Sequence, residues 1–212
     1  APEPAPEATP ATPGEEAAAE EAATTEETTE EEAAATPFVD IAGHWAEDYI
    51  ADLFNQAIVK GKDKTHFEPN SPITRAEFIK IIVGAFKVEM VDTTGSFTDT
   101  NKHWAVQHIE SALAAGIIDK ANNFRPDAKI NRAEALKVLL TAAKADLTAA
   151  KAANFPVVKS TDWFFKHVSY AAENGIVKGY NDGTFGPGKD ITRAETTKIV
   201  SLMVAQAAEL SE

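Results

Sequence analysis

Cysteine is missing from the whole 212-residue chain, which excludes disulfides, thiolate-bound metals and a cysteine nucleophile. No apolar run approaches the roughly 20 residues that span a bilayer. No basic segment leading into an apolar stretch marks a signal peptide, although Ala1-Pro2-Glu3 is compatible with the start left by removing one. Basic residues are scattered, and 33 acids against 20 bases give a formal charge of −13. That balance repels phosphate backbones and argues against nucleic acid as a partner. No Ser-His-Asp context, phosphate loop or isolated carboxylate pair stands out. The chain therefore offers no positive case for an enzyme or a cofactor.

The scarcity is sharpest at the start. Residues 1–36 use only Ala, Pro, Glu, Thr and Gly, with no aromatic, no branched aliphatic and no base. Eleven of the 33 acids lie there, so residues 37–212 carry 22 acids against 20 bases and are nearly neutral. A segment with so little to bury cannot offset its ordering entropy. It is expected to be disordered, extended in its Pro-rich first third and transiently helical between Glu15 and Ala35. The other 176 residues are enough to bury roughly 70% of the surface of the unfolded chain.

What those residues contain is one unit, three times over. Trp45, Trp104 and Trp163 are spaced 59 and 59 apart. Each is followed by an i, i+3, i+4, i+7 apolar stripe: Ile50, Leu53, Phe54, Ala57; Ile109, Ala112, Leu113, Gly116; Val168, Ala171, Ala172, Gly175. That spacing predicts an amphipathic helix. An apolar pair, a polar loop and a Phe-x-Pro then recur (Phe67 to Pro69, Phe124 to Pro126, Phe185 to Pro187). The third loop, Gly179 to Phe185, carries Tyr180 and the turn pair Asp182-Gly183. A second stripe predicts a second helix: Phe78, Ile81, Ile82, Ala85; Ala135, Val138, Leu139, Ala142; Thr196, Ile199, Val200, Met203. Stops are expected near Lys87 and Lys144, a turn at Thr94-Gly95, and further helix in the Ala/Lys-rich stretch from Ala142 to Ala153. The fold class that follows is all-α: three helix-loop-helix repeats (37–94, 95–153 and 154–212) in a pseudo-threefold bundle, preceded by the disordered acidic tail (1–36).

Each second helix opens on the same five residues: Ile73-Thr74-Arg75-Ala76-Glu77, Ile130-Asn131-Arg132-Ala133-Glu134 and Ile191-Thr192-Arg193-Ala194-Glu195. Thr or Asn at the N-cap with Glu three residues on is a capping box. It puts an Arg at the first helical position, where the helix dipole disfavours a cation by roughly 0.3–1 kcal/mol. Either each Arg awaits an external anion, or it pairs with a carboxylate of the protein and holds repeats together. The Trp residues are read as core anchors beside an apolar stripe, with stacking on sugars as the alternative. His44 and His103 precede Trp at helix starts, where capping or packing is the ordinary role. His103 and His108 are five apart, not the four that place both on one helix face for a metal. The loop aspartates show no EF-hand spacing.

The ordered set Phe38-x-Asp40, His44-Trp45-Ala46, apolar pair, Gly-Tyr-x-Asp-Gly-Thr-Phe-x-Pro and Ile-Thr-Arg-Ala-Glu resembles the S-layer homology domain, in three copies from about Phe38 to Met203. The resemblance implies a pseudo-threefold helical assembly that attaches exported proteins non-covalently to the bacterial cell surface or envelope. The implied ligand is a secondary cell-wall polysaccharide carrying pyruvate ketals, or in some double-membraned bacteria peptidoglycan. The competing reading, motivated by the absence of a recognisable cargo domain, is a structural or assembly protein whose repeats pack against another protein, such as one of a surface layer, or against copies of themselves. By the same resemblance Arg75, Arg132 and Arg193 bind carboxylate, beside free helix N–H groups. Asp40, Asp99, Trp45, Trp104, Trp163 and the glycine turn (Gly61; Gly179, Tyr180, Asp182, Gly183) wall the grooves between repeats. The copies differ. Pro156-Val157-Val158 stands where the third Phe-x-Asp is expected, Asp162 replaces the His before Trp, and the loop from Ile118 to Phe124 is two residues short. These differences point to Arg75 or Arg193 in the main site and to a more structural Arg132.

Overall fold

The computed structural model describes residues 36–148, 150–151 and 155–209. The acidic segment expected to be disordered thus lies outside the described residues, except for Thr36. Among the described residues six helices follow in pairs: α1 Glu47–Asn55 and α2 Arg75–Ala85, α3 Val106–Ala114 and α4 Arg132–Ala142, α5 Phe165–Glu173 and α6 Arg193–Glu209. Among the described residues there is no strand, only isolated bridges. The bundle is all-α with the expected repeat order.

The second helix of each pair is central. α2 packs on α4 and on α6. The first helices lie outside and are displaced by one repeat: α3 packs on α2, α5 on α4, and α1 returns to α6. Each outer helix therefore covers the central helix of the preceding repeat, and the last joins the first. This placement explains why the second stripe was drawn too narrow. α2 buries Ala76, Phe78, Ile79, Ile81, Ile82, Val83 and Ala85, nearly its whole circumference, because neighbours press on it from several sides. α1 is the one-faced helix that periodicity predicts, burying Ile50, Ala51 and Leu53.

A ring of main-chain bonds marks the pseudo-threefold axis. Ile73 N–H donates to the Ile191 carbonyl at 3.1 Å, Ile191 N–H to Ile130 at 3.1 Å, and Ile130 N–H to Ile73 at 3.3 Å. All three side chains are buried. The isoleucine that opens each capping box is the point where the repeats meet.

The helix ends correct two details. Ala57, Gly116 and Gly175 are not the last residues of a stripe. They sit just past the helices with φ of 58°, 71° and 67°, where a left-handed residue closes a helix. Lys87 and Lys144 take the same conformation, φ 49° and 53°, where the stops of α2 and α4 were expected. The helix expected from Ala142 onward is absent across residues 143–148, because Lys144 turns the chain out of α4. Gly95 has φ 92°, but the turn expected at Thr94-Gly95 does not form there; the chain bends at Ser96-Phe97 instead.

Candidate functional site

The capping boxes are complete. Thr74, Asn131 and Thr192 side chains accept from Glu77, Glu134 and Glu195 N–H at 3.2, 2.9 and 3.1 Å, and those glutamates accept back from the N-cap N–H. The next two N–H groups are also taken. Arg75 and Ala76 N–H donate to Ala128 and Pro126 carbonyls, Arg132 and Ala133 to Lys189 and Pro187, and Arg193 and Ala194 to Ser71 and Pro69. The free helix N–H groups expected beside the arginines are therefore not free. These helix starts are joints to the next repeat's Phe-x-Pro loop.

The arginines cross the same joint. Arg75 Nε donates to Phe124 O at 2.9 Å, Arg132 Nε to Phe185 O at 3.1 Å, and Arg193 Nε to Phe67 O at 2.7 Å. Each guanidinium lies over the ring of that Phe, 4.8, 4.9 and 4.2 Å from its centroid, a cation–π contact in a largely desolvated place. Arg132 and Arg193 are only 7% and 6% exposed. Beyond the joint they differ. Arg132 reaches Glu195 at 2.7 Å and Arg75 reaches Glu134 at 3.5 Å. The third glutamate, Glu77, is bonded by Lys62 instead, while Arg193 donates to Lys60 O at 2.8 Å.

The outer face of each joint is a groove built from all three repeats. The first, about 150 Å³, has the Val59-to-Lys62 loop, Glu77 and Lys80 from repeat one, Trp104 from repeat two and Arg193 from repeat three. The second, about 290 Å³, sets Asp119, Glu134 and Lys137 against Trp163 and Arg75. The third, about 190 Å³, sets Gly179, Tyr180, Glu195 and Lys198 against Trp45 and Arg132. Because each Arg crosses to the next repeat, Arg132 serves the full glycine loop and Arg193 the first loop.

The tryptophans are not core anchors. Trp45, Trp104 and Trp163 are 52%, 56% and 56% exposed. Each precedes its helix rather than lying on the stripe, so it stands on the groove rim. Lys198 lies 5.7 Å from the Trp45 ring centre and Lys80 lies 6.0 Å from that of Trp104. His44 and His103 accept from Ala46 and Ala105 N–H through Nδ1 at 3.2 and 3.1 Å, just before the outer helices, which carry no side-chain cap.

Other expected site residues have structural partners. Asp40 accepts from Phe67 and Glu68 N–H at 2.8 and 2.7 Å, and Asp99 from Phe124 and Arg125 N–H at 2.9 and 2.7 Å. Burial works against ionisation of both carboxyls, but these paired donors outweigh it and hold them below the usual range. Neither aspartate lines any of the three grooves. Asp182 accepts from Thr184 N–H at 2.8 Å, and Gly183 has φ 75°, so this pair shapes the loop tip. Gly61 and Gly179 are needed for close approach: a Cβ would lie 2.4 Å from Phe38 at the first and 2.6 Å from Phe155 at the second. That contact identifies Phe155 as the third repeat's counterpart of Phe38. The repeat therefore keeps the Phe and lacks only the Asp, with Val157 in its place.

Sequence reasoning overlooked Lys80, Lys137 and Lys198. They fall five residues after each Arg, in a recurring Arg-Ala-Glu-x-x-Lys, and each lines a groove. With them the grooves differ in charge. The first has Lys60, Lys62, Lys80 and Arg193 against Glu77 alone. The third has Lys178, Lys198 and Arg132 against Glu195. In the second, Arg75 and Lys137 meet Glu134 and Asp119, with Lys137 and Asp119 2.6 Å apart. Among the described residues no helix is long and apolar enough to cross a membrane, and no cluster of His or carboxylates could hold a metal.

The chain has relatives among known proteins. The chain is 36% identical over 171 residues to an amylopullulanase of Thermoanaerobacterium thermosulfurigenes, a stretch that is 77% of this chain and 9% of the relative. It is 36% identical to exoglucanase XynX of Acetivibrio thermocellus, over 77% of this chain and 16% of that one. It is 31% identical to the S-layer protein sap of Bacillus anthracis, over 79% and 21%. The chain thus spans a small part of each relative's length. A family profile described as S-layer homology domain matches residues 37–79, 96–136 and 157–197, and the chain belongs to that family.

Proposed function

We propose that this chain is a non-catalytic anchoring module that holds an anionic, pyruvylated secondary cell-wall polysaccharide in its first and third grooves. S-layer homology domains are cell-wall anchoring modules of surface-layer proteins and surface enzymes. The finer reading rests on one observation, the excess of cations over carboxylates in those two grooves and its cancellation in the second. A carboxylate substituent is drawn to a guanidinium and an ammonium converging in a partly desolvated cleft. The half-exposed Trp on each rim offers a flat face for a sugar ring. On this reading Arg193 and Arg132 serve binding, and Arg75, in the groove whose charges cancel, is the structural one.

The buried arginines are poor probes because their loss also damages the joint, so the groove lysines are the residues to change. Native cell walls are pelleted with the purified protein, before and after extraction of acid-labile polymers. Losing one charge-assisted contact costs about 1.5–3 kcal/mol. Lys80→Glu and Lys198→Glu should each weaken pelleting about tenfold or more, and Lys137→Glu should leave it nearly unchanged. Undiminished pelleting after extraction would point to bare peptidoglycan. A self-associating protein that ignores walls would point to an assembly role instead, which light scattering detects.

A further inference from the structure

The first groove does not end at Lys80. Ile58 and Lys80 wall it on one side and on the other wall a second depression of about 390 Å³. Gln56, Gly84, Lys87, Met90 and His108 are among the residues that complete its lining. We propose that this depression is a second subsite, which holds the next, acidic unit of the polysaccharide bound in the first groove. The proposal rests on the carboxylate reading of that groove.

Gly84 is the main observation. It lies inside α2, where glycine is the least favourable residue short of proline. No neighbour requires it, since a Cβ there would meet nothing within 4 Å. The corresponding positions of the other central helices are Thr141 and Leu202. Repeat one therefore accepts a poor helix former where only open space is gained, and that space is the depression.

The walls suit an acidic sugar. Lys80 and Lys87 supply positive charge, and Gln56 supplies a neutral amide. Met90 and Val88 offer apolar surface to a ring face. His108 also lines the space, although its Nδ1 is itself buried and so not open to a ligand. Burial and the nearby Lys80 push its imidazole below the usual value, so at neutral pH it adds no charge to the walls. Lys80 stands between the two spaces and reaches either one, which links the units of one ligand rather than two separate ligands.

The test is calorimetric titration of the full chain with a pyruvyl-ketal monosaccharide and the trisaccharide that extends it by two acidic units. The trisaccharide should bind the natural chain at least tenfold more tightly. Gly84→Leu, which places the repeat-three side chain in the lining, should reduce that advantage to under twofold while the monosaccharide binds as before. Circular dichroism confirms that the variant keeps its helices. If the monosaccharide binds but the trisaccharide gains nothing, or gains equally in Gly84→Leu, the subsite is refuted and the groove stands. If neither sugar binds the natural chain, the carboxylate reading itself falls, and the subsite with it. A Glu-rich peptide of residues 15–32 is titrated alongside. If Gly84→Leu weakens that peptide and not the trisaccharide, the occupant is an acidic polypeptide and the proposal is wrong.

Discussion

Arg193 donates from Nε to the carbonyl oxygen of Phe67 at 2.7 Å, across 126 positions of the chain, and so fastens the last repeat to the first. The same bond joins repeat one to two and two to three. The ring is thus closed by three equivalent contacts, each from a residue whose own helix dipole disfavours it. The cation is tolerated there because a carbonyl oxygen and an aromatic face from another repeat replace the lost solvent.

Arg193→Ala should destabilise the fold more than Arg75→Ala. The first change strips the donor from two carbonyls, Phe67 and Lys60, at a site that is almost fully buried. Stranding a buried polar group costs about 1–3 kcal/mol, so a loss of about 3–5 kcal/mol is expected. Arg75 is more exposed and bonds one carbonyl, so about 1–2 kcal/mol is expected for it. Arg193→Lys should recover little, because an ammonium lacks the planar fork. Urea unfolding measures all three, and equal midpoints for the two alanine variants would contradict the account.

The capping boxes were legible because they are local: the chemistry that closes them lies within four residues, Thr74 to Glu77 for example. The destination of each Arg was not. Its partner lies 49, 53 or 126 residues away, and the one-repeat offset that brings them together is decided by packing of whole helices. Trp104 was misread because an apolar helical stripe follows it in sequence, while its place just before α3 turns it to the rim. The groove lysines were visible in the repeat, yet a Lys on a helix resembles any solvated surface residue until a Trp and an Arg from other repeats are set beside it.

Acid should unfold the protein through a small set of carboxylates. Asp40 and Asp99 have folded values held below the usual carboxylate range by paired backbone donors, which outweigh their partial desolvation. Glu77 is held below 4.5, also against its burial, by Lys62 and Thr74. For a group lowered on folding, the stabilisation is fully present above the unfolded value and is lost as pH falls through the folded one. The melting temperature should therefore be flat above about pH 5 and drop steadily toward pH 2. The Asp40→Asn/Asp99→Asn double variant should start lower at neutral pH and decline less steeply. An unchanged acid limb would show that other groups control it.

Ala57→Gly should stabilise repeat one. Ala57 sits at φ 58° after α1, where repeats two and three have Gly116 and Gly175. The main chain closes the same way in each case, with Ile58 N–H on Leu53 O and Ile176 N–H on Ala171 O, both at 2.9 Å. The left-handed conformation costs a Cβ-bearing residue about 1–2 kcal/mol, partly offset by the greater freedom glycine has in the unfolded chain. A net gain of about 0.5–1 kcal/mol in denaturant unfolding is expected, and a loss would mean that the Ala57 methyl group contributes packing that outweighs the strain.

Val157→Asp should repair the Phe-x-Asp motif of repeat three. Phe155 packs on Phe185 with ring centres 5.6 Å apart, as Phe38 does on Phe67 at 5.6 Å and Phe97 on Phe124 at 5.5 Å. Two residues beyond each Phe stands Asp40, Asp99 or Val157, and only the first two can accept from the Phe-x-Pro main chain. Val157 is 48% exposed, so its removal empties no core. An Asp there reaches the Phe185 and Gly186 N–H groups if the repeat keeps the geometry of its siblings. A hydrogen bond to an ionised acceptor contributes about 1.5–3 kcal/mol at best. The exposed setting and the cost of ordering the side chain reduce this to about 1 kcal/mol. The gain should appear at pH 7 and vanish below about pH 3, where the new carboxyl is protonated. A stabilisation that persists in acid would have to come from removing an exposed Val, and the proposed equivalence of the three Phe-x-Asp positions would then be wrong.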